Sequence, residues 1–138
     1  MTQANENANA REEMAKGTEA LRAAEELLRL GLFNDAVSRA YYAAYHWARA
    51  LLFTQGLESR SHRGMIQLVG LHFVRTQRLP VEATTLLGQL ASQREAGDYT
   101  TSLRFNASDA AEIVSQSRAF INLCRPLLPA ELPGSNSP

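Results

Sequence analysis

Apolar residues along the chain recur at three- and four-residue steps and hardly ever alternate with period two, which predicts helices and no convincing strand. From about Arg11 to Leu30 the positions Met14, Leu21, Ala24, Leu27 and Leu28 keep helical spacing, and Gly31 supplies a C-terminal cap. Asn34 is placed to cap a second helix reaching about Gln55, ended by Gly56. Ser61 caps a third, from His62 to about Gln77, stopped by Leu79-Pro80. Pro80 opens a fourth that runs to about Ala96 and is closed by Gly97. Asn106 or Ser108 starts a fifth, ending near Cys124. Residues 1–10 are polar and read as a disordered N-terminus, 11–125 as one helical domain, and 126–138 as a flexible proline-rich tail. Five helices on short connections predict an all-α fold, an up-and-down four-helix bundle with an additional helix.

The second helix departs from the ordinary pattern of a single apolar stripe. At about 100° per residue, Asp35, Arg39, Tyr42, His46 and Arg49 fall within one sector about 80° wide. Ala40, Ala44, Ala48, Val37, Tyr41, Tyr45, Trp47, Leu51 and Leu52 fill the rest of the circumference. A helix apolar over most of its surface is central to its fold, so its polar strip is expected to line a groove or an interface. Arg39 and His46, seven residues apart, stack on that strip with Tyr42 between them. Such a pair suits phosphodiester chemistry: a guanidinium grips phosphate and stabilises developing charge, while an imidazole moves a proton near neutral pH. The same spacing also allows a plain Asp35–Arg39 ion pair and a hydrogen-bonded His46.

Composition narrows the partners. The 138 residues suit one domain with its own core. Equal numbers of acidic and basic residues exclude binding driven by total charge. Beneath that balance, residues 1–26 carry six acids against three cations, whereas 29–78 carry seven arginines against Asp35 and Glu58. Thirteen of the fourteen cations are arginine, which reflects either compositional bias or a surface that meets planar anions. A single cysteine, Cys124, excludes a disulfide framework, and it follows an apolar run as an inert thiol would. The three histidines lack metal-ligand spacing, so neither a metal nor another cofactor is expected. No apolar run approaches the ~20 residues of a membrane span. The first residues lack the features of a secretory signal, so a cytoplasmic location is expected.

Three separated segments carry a family resemblance. AVSRAYYAAYH at Ala36–His46, SHRG at Ser61–Gly64 and REAGDY at Arg94–Tyr99 occur in the order found in the HEPN superfamily. The chain resembles in particular a small branch of that superfamily, over about residues 15–125. The resemblance implies a four-helix bundle with an added helix, commonly a homodimer formed through the helices that carry the motif. Catalytic members are metal-independent endoribonucleases whose Arg-x(4–6)-His motif meets its second copy across the dimer. Arg39 and His46, with six residues between them, match that motif. Members often pair with a minimal nucleotidyltransferase as a toxin–antitoxin module, and in some pairs the partner adenylylates a tyrosine of the HEPN protein. Active members usually carry Asn, Asp or His directly after the motif arginine, where this chain has Ala40. Two readings therefore stand: a ribonuclease toxin, and a non-catalytic module that holds a nucleotide, an RNA end or the nucleotidyltransferase.

Other residues complete the candidate site. Arg60, His62 and Arg63 at the start of the third helix can bind an anion together with Tyr42 and Arg49. The alternative there is a capped helix in which Gly64 permits close packing. Asp98 lies near a helix end, where the dipole disfavours a carboxylate, and so calls for a specific partner. That partner is Arg94 or an arginine or tyrosine of the second helix, which gives Asp35, Arg94, Asp98 and Tyr99 supporting roles. His72 lies among Leu68, Val69, Phe73 and Val74 and is expected only to pack.

Overall fold

The computed structural model describes residues 2–99 and 104–130, with 97–99 given as backbone only. Helix α1 spans Gln3–Arg29, α2 Phe33–Phe53, α3 His62–Val69, α4 Glu82–Tyr99 and α5 Ala107–Cys124. The described residues contain no strand, and the architecture is the all-α bundle that the apolar spacing predicts. Helix α2 is its axle: it packs against α1, α3, α4 and α5. Eleven of its residues are buried, among them Tyr41, Trp47, Leu51 and Leu52. Each large apolar side chain buried in this way contributes about 2 kcal/mol.

Two small residues let α1 lie close to this axle. Gly17 faces Trp47 so tightly that a Cβ there would stand 2.3 Å from the indole Cδ1. Gly31, at φ +81°, ends the turn between α1 and α2 in a conformation that glycine adopts without steric cost. Arg125 also stacks on Trp47, with its Cζ 4.9 Å from the ring centroid. Cys124, at the end of α5, is fully buried, and burial pushes its thiol pKa far up.

Several boundaries differ from the sequence reading. The segment 1–10, expected to be disordered, is helical from Gln3 onward. The Thr2 hydroxyl accepts a hydrogen bond from the Asn5 N–H at 3.2 Å, and Ala10 is already in the core. Propagating a helix nucleated downstream costs far less than starting one, so a polar stretch can extend it. At the other end, Arg125–Leu127 form a short 3-10 turn, and Arg11 Nε donates to the Ala130 carbonyl at 3.1 Å. Residues 126–130 are therefore held against the bundle, and 131–138 lie outside the described residues.

Asn34 does not cap α2, whose N-terminal flank is Leu32 with no side-chain cap. Its Oδ1 instead accepts from the Phe105 N–H at 3.0 Å, tying the start of α2 to the approach of α5. Ser61 and Asn106 do cap, accepting from Gly64 and Asp109. After α3 the chain makes one π-helical turn over Gly70–Val74, and the Arg75 N–H donates back to the Gly70 carbonyl. Helix α4 begins two residues after Pro80 and runs through Gly97 to Tyr99, so Gly97 does not close it.

Candidate functional site

Helices α1, α3 and α4 cover the flanks of α2 and leave a strip of its surface half-open. Along that strip Ser38, Tyr42, Tyr45, His46, Arg49 and Phe53 are partly exposed, and Arg39 is exposed. The strip is aromatic as well as charged. Tyr42 and Tyr45 meet edge to face at 6.2 Å, and Tyr45 meets His46 in the same way at 5.4 Å.

The charged centre of the site comes from a residue that the helical wheel of α2 could not include. Glu13 of α1 is 2% exposed, and it gathers the side chains of His46, Arg49 and Lys16. One carboxylate oxygen accepts from His46 Nδ1 at 3.2 Å and from Arg49 Nη1 at 3.0 Å. The other faces Lys16 Nζ at 3.3 Å. Arg49 also reaches Glu58 at 3.5 Å. Burial works to raise the Glu13 pKa, but the His46 hydrogen bond and the charges of Arg49 and His46 outweigh it and hold it below its ordinary 4.5. The carboxylate is therefore ionised at neutral pH and accepts the Nδ1 proton of His46. That leaves the Nε2 lone pair free, which is the tautomer a general base needs.

Arg39 lies two turns before His46, about 10.5 Å along the axis at 1.5 Å per residue. Its guanidinium stacks over Tyr42 at 4.9 Å from the ring centroid. Arg94 of α4 stands over the same ring at 4.9 Å and over Tyr41 at 5.4 Å. Two guanidinium groups thus converge on one tyrosine. Asp35 is exposed at the first turn of α2, where it suits the helix dipole. It lines a small cleft with Arg104 and Phe105 while Arg39 turns to Tyr42, so the Asp35–Arg39 pair is replaced by a cation–π contact.

His62, the first residue of α3, joins the site through tyrosines. The buried Tyr41 hydroxyl hydrogen-bonds His62 Nδ1, and the His62 ring lies 5.0 Å from that of Tyr45. Burial raises the Tyr41 pKa well above its ordinary 10.0, so the phenol keeps its proton and is the donor. Desolvation and then the charge of Arg94 lower the His62 pKa, so that ring is neutral at pH 7 and carries its proton on Nε2. Arg63 lies beside it on a groove of about 560 Å³ between α3 and α4. Arg60 stands exposed on the turn before α3, and no contact among the described residues ties it to the strip. Gly64 packs against Ser59 and Ser61, where a Cβ would meet the Ser59 hydroxyl at 2.5 Å.

The structure thus brings Arg39, Tyr42, His46, Arg49, His62 and Arg94 onto one continuous surface. The side chains of Asp98 and Tyr99 lie outside the described residues. Sequence reasoning missed Glu13, Lys16, Tyr41 and Tyr45. The available signal for Glu13 was its spacing: it falls on the buried stripe Ala10, Gly17, Ala20 and Ala24 of α1, a carboxylate where an apolar side chain belongs. His72 is half-buried on the π-helical turn. Among the described residues no three His, Cys, Asp or Glu side chains converge as a metal site. No helix among them is long and apolar enough to cross a membrane.

Comparison with known proteins places this chain in a family. A UPF0332 protein of Gloeobacter violaceus is 35% identical over 116 residues, covering 83% of this chain and 92% of that protein. Two Methanocaldococcus jannaschii proteins, each named "Putative toxin", are 35% and 26% identical over 104 and 107 residues. These alignments cover 75% and 78% of this chain and 77% and 73% of the relatives. Residues 10–127, from the first buried turn of α1 to the 3-10 turn after α5, match the HEPN domain, and the chain belongs to that family.

Proposed function

We propose that this HEPN protein is the toxin of a toxin–antitoxin pair and acts as a metal-independent endoribonuclease, with a nucleotidyltransferase as its partner. The observation that carries the reading is the Glu13–His46 dyad on a half-open surface that also presents Arg39. In this scheme His46 Nε2 takes the proton of a ribose 2′-hydroxyl, and the 2′-oxygen attacks the adjacent phosphorus. Arg39 stabilises the charge that builds on the phosphate, and the 5′-oxygen leaves with a proton from water, to which His46 in turn gives up the one it took. Two turns separate Arg39 from His46, which favours a site completed by a second copy of the chain. The toxin-named relatives from Methanocaldococcus jannaschii support the biological role.

Ala40 fits this scheme better than its position beside the motif arginine suggests. It is fully buried, and its carbonyl accepts the Ser117 hydroxyl at 2.7 Å. A polar side chain there would be buried in the core and not open on the strip. Orientation of the histidine falls instead to Glu13, from a different helix.

The test is cleavage of structured RNA by the purified chain in EDTA. Arg39→Ala and His46→Ala are each expected to lower the rate by ~10²–10⁴-fold, and the double variant to be little worse than either. Both changes lie on the polar strip, so folding should survive them. A second reading is favoured by the other partners of Glu13: Arg49 and Lys16 make the cluster a structural tie between α1 and α2. On that reading the strip binds RNA or a nucleotide without cutting. RNA binding that weakens in Arg39→Ala, with no cleavage by the unaltered protein, would select it.

A further inference from the structure

Two histidines border the strip from opposite sides. Glu13 of α1 holds His46, and Tyr41 holds His62 where α3 begins. Tyr41 and His46 are five residues apart, about 140° around the α2 axis, so the two ties leave that helix in different directions. The ring of Tyr45 touches both imidazoles, His46 at 5.4 Å and His62 at 5.0 Å between centroids. An in-line attack at phosphorus also has two sides, the entering 2′-oxygen on one and the departing 5′-oxygen on the other. In the ribonuclease scheme His46 serves the first, and water alone serves the second.

We infer that His62 is a second catalytic residue, whose Nε2–H donates a hydrogen bond to the departing 5′-oxygen, with Tyr41 as its positioning residue. This rests on the ribonuclease reading and deepens it. The Tyr41 hydroxyl occupies Nδ1, which puts the ring proton on Nε2, the nitrogen on the other side of the ring. His62 itself is exposed, so that N–H is open to a substrate lying on the strip. Tyr41 is a firm anchor: it is 1% exposed, and its ring packs on Tyr42 and Tyr45. The other titratable or charged groups around His62 are Tyr45 of α2, Arg63 beside it, and Arg94 and Glu95 of α4. Desolvation and the Arg94 charge keep the imidazole neutral. A neutral imidazole can stabilise an oxyanion as a donor without releasing its proton. The balance of the step is unchanged. The bond from the 2′-oxygen to phosphorus forms and the bond to the 5′-oxygen breaks. His62 keeps its proton, and the 5′-oxygen still takes one from water.

The test compares two versions of one structured RNA, both incubated with the full chain in EDTA. The cut linkage is mapped first, and the second version carries sulfur in place of its 5′-oxygen. A thiol ionises at about pH 8–9, so a thiolate departs without a donor. His62→Ala should slow cleavage of the natural RNA by ~10²–10³-fold and barely change that of the sulfur RNA. His46→Ala should slow both, since either leaving group needs the base. His62→Gln keeps an N–H donor and should recover part of the loss. Tyr41→Phe keeps the buried ring and removes the hydrogen bond. It should slow the natural RNA selectively and turn the His62 ring-nitrogen resonances from one tautomer into a mixture. His62 is exposed at the first position of α3, so the fold should survive its replacement. If His62→Ala slows both RNAs equally, or neither, the inference is overturned and the ribonuclease reading stands. A His62 tautomer unchanged in Tyr41→Phe overturns the role of Tyr41. If the unaltered chain cuts no RNA, the ribonuclease reading and this inference fall together.

Discussion

Glu13 is the residue on which most of the site depends. It is ionised in a buried position, and its low pKa links it to stability. A carboxyl whose folded pKa lies below its ordinary 4.5 stabilises the fold above that pH, and the contribution disappears as pH falls below it. Urea unfolding of the protein should therefore lose stability as the pH falls below the ordinary 4.5 of a glutamate, and Glu13→Gln should flatten that loss. At neutral pH the same substitution should cost about 2 kcal/mol, since it removes the negative charge that Arg49 and Lys16 share and weakens the acceptor for His46. If RNA is cut, Glu13→Gln should lower the turnover rate while leaving RNA affinity nearly intact, because it acts through His46 and not on the substrate. The polar strip of α2 was legible from spacing alone, because Asp35, Arg39, Tyr42, His46 and Arg49 share one helix and one face. Glu13 was not, because that wheel holds only residues of α2. Which helix would pack against His46 depends on turns and tertiary contacts that no periodicity encodes.

At the scale of the helix, close approach of α1 and α2 rests on Gly17. Alanine is the better helix former by about 1 kcal/mol, yet here its Cβ would meet Trp47 Cδ1 at 2.3 Å and the Ala43 carbonyl at 3.0 Å. Gly17→Ala should therefore destabilise the protein by about 1–3 kcal/mol despite its propensity, the usual cost of overpacking. A lower melting temperature with altered Trp47 fluorescence would show it, and an unchanged melt would mean that the helices slide apart freely. Helix identities were readable from the chain because apolar spacing, Ser61, Asn106, Gly31 and Gly56 all agree. The early start of α1 was not, because Asn, Gln and Glu give no apolar signal and the helix is extended from Ala10 backward. The π-helical turn at Gly70–Val74 escaped for a related reason: a shift in hydrogen-bond register leaves the apolar pattern almost unchanged.

For the whole molecule, the strip of α2 raises the question of what covers it. Tyr42, Tyr45 and Phe53 lie half-open beside Arg39 and Arg49, a mixture that suits contact with a second copy more than free solvent. Light scattering at micromolar concentration should give about twice the 15.2 kDa of one chain, and a monomer would overturn the shared-site scheme. The single cysteine offers a different use of the same fold. Cys124 has no access to solvent, and its thiolate form is disfavoured by burial, so an alkylating reagent must wait for α5 to lift. Its modification is then a clock for native-state opening that needs no added label. With a domain stability of ~5–15 kcal/mol, alkylation should run at least ~10³-fold slower than for an exposed thiol, and should quicken steeply with urea. If instead the rate is fast and indifferent to urea, α5 detaches by itself while the rest of the bundle stays shut.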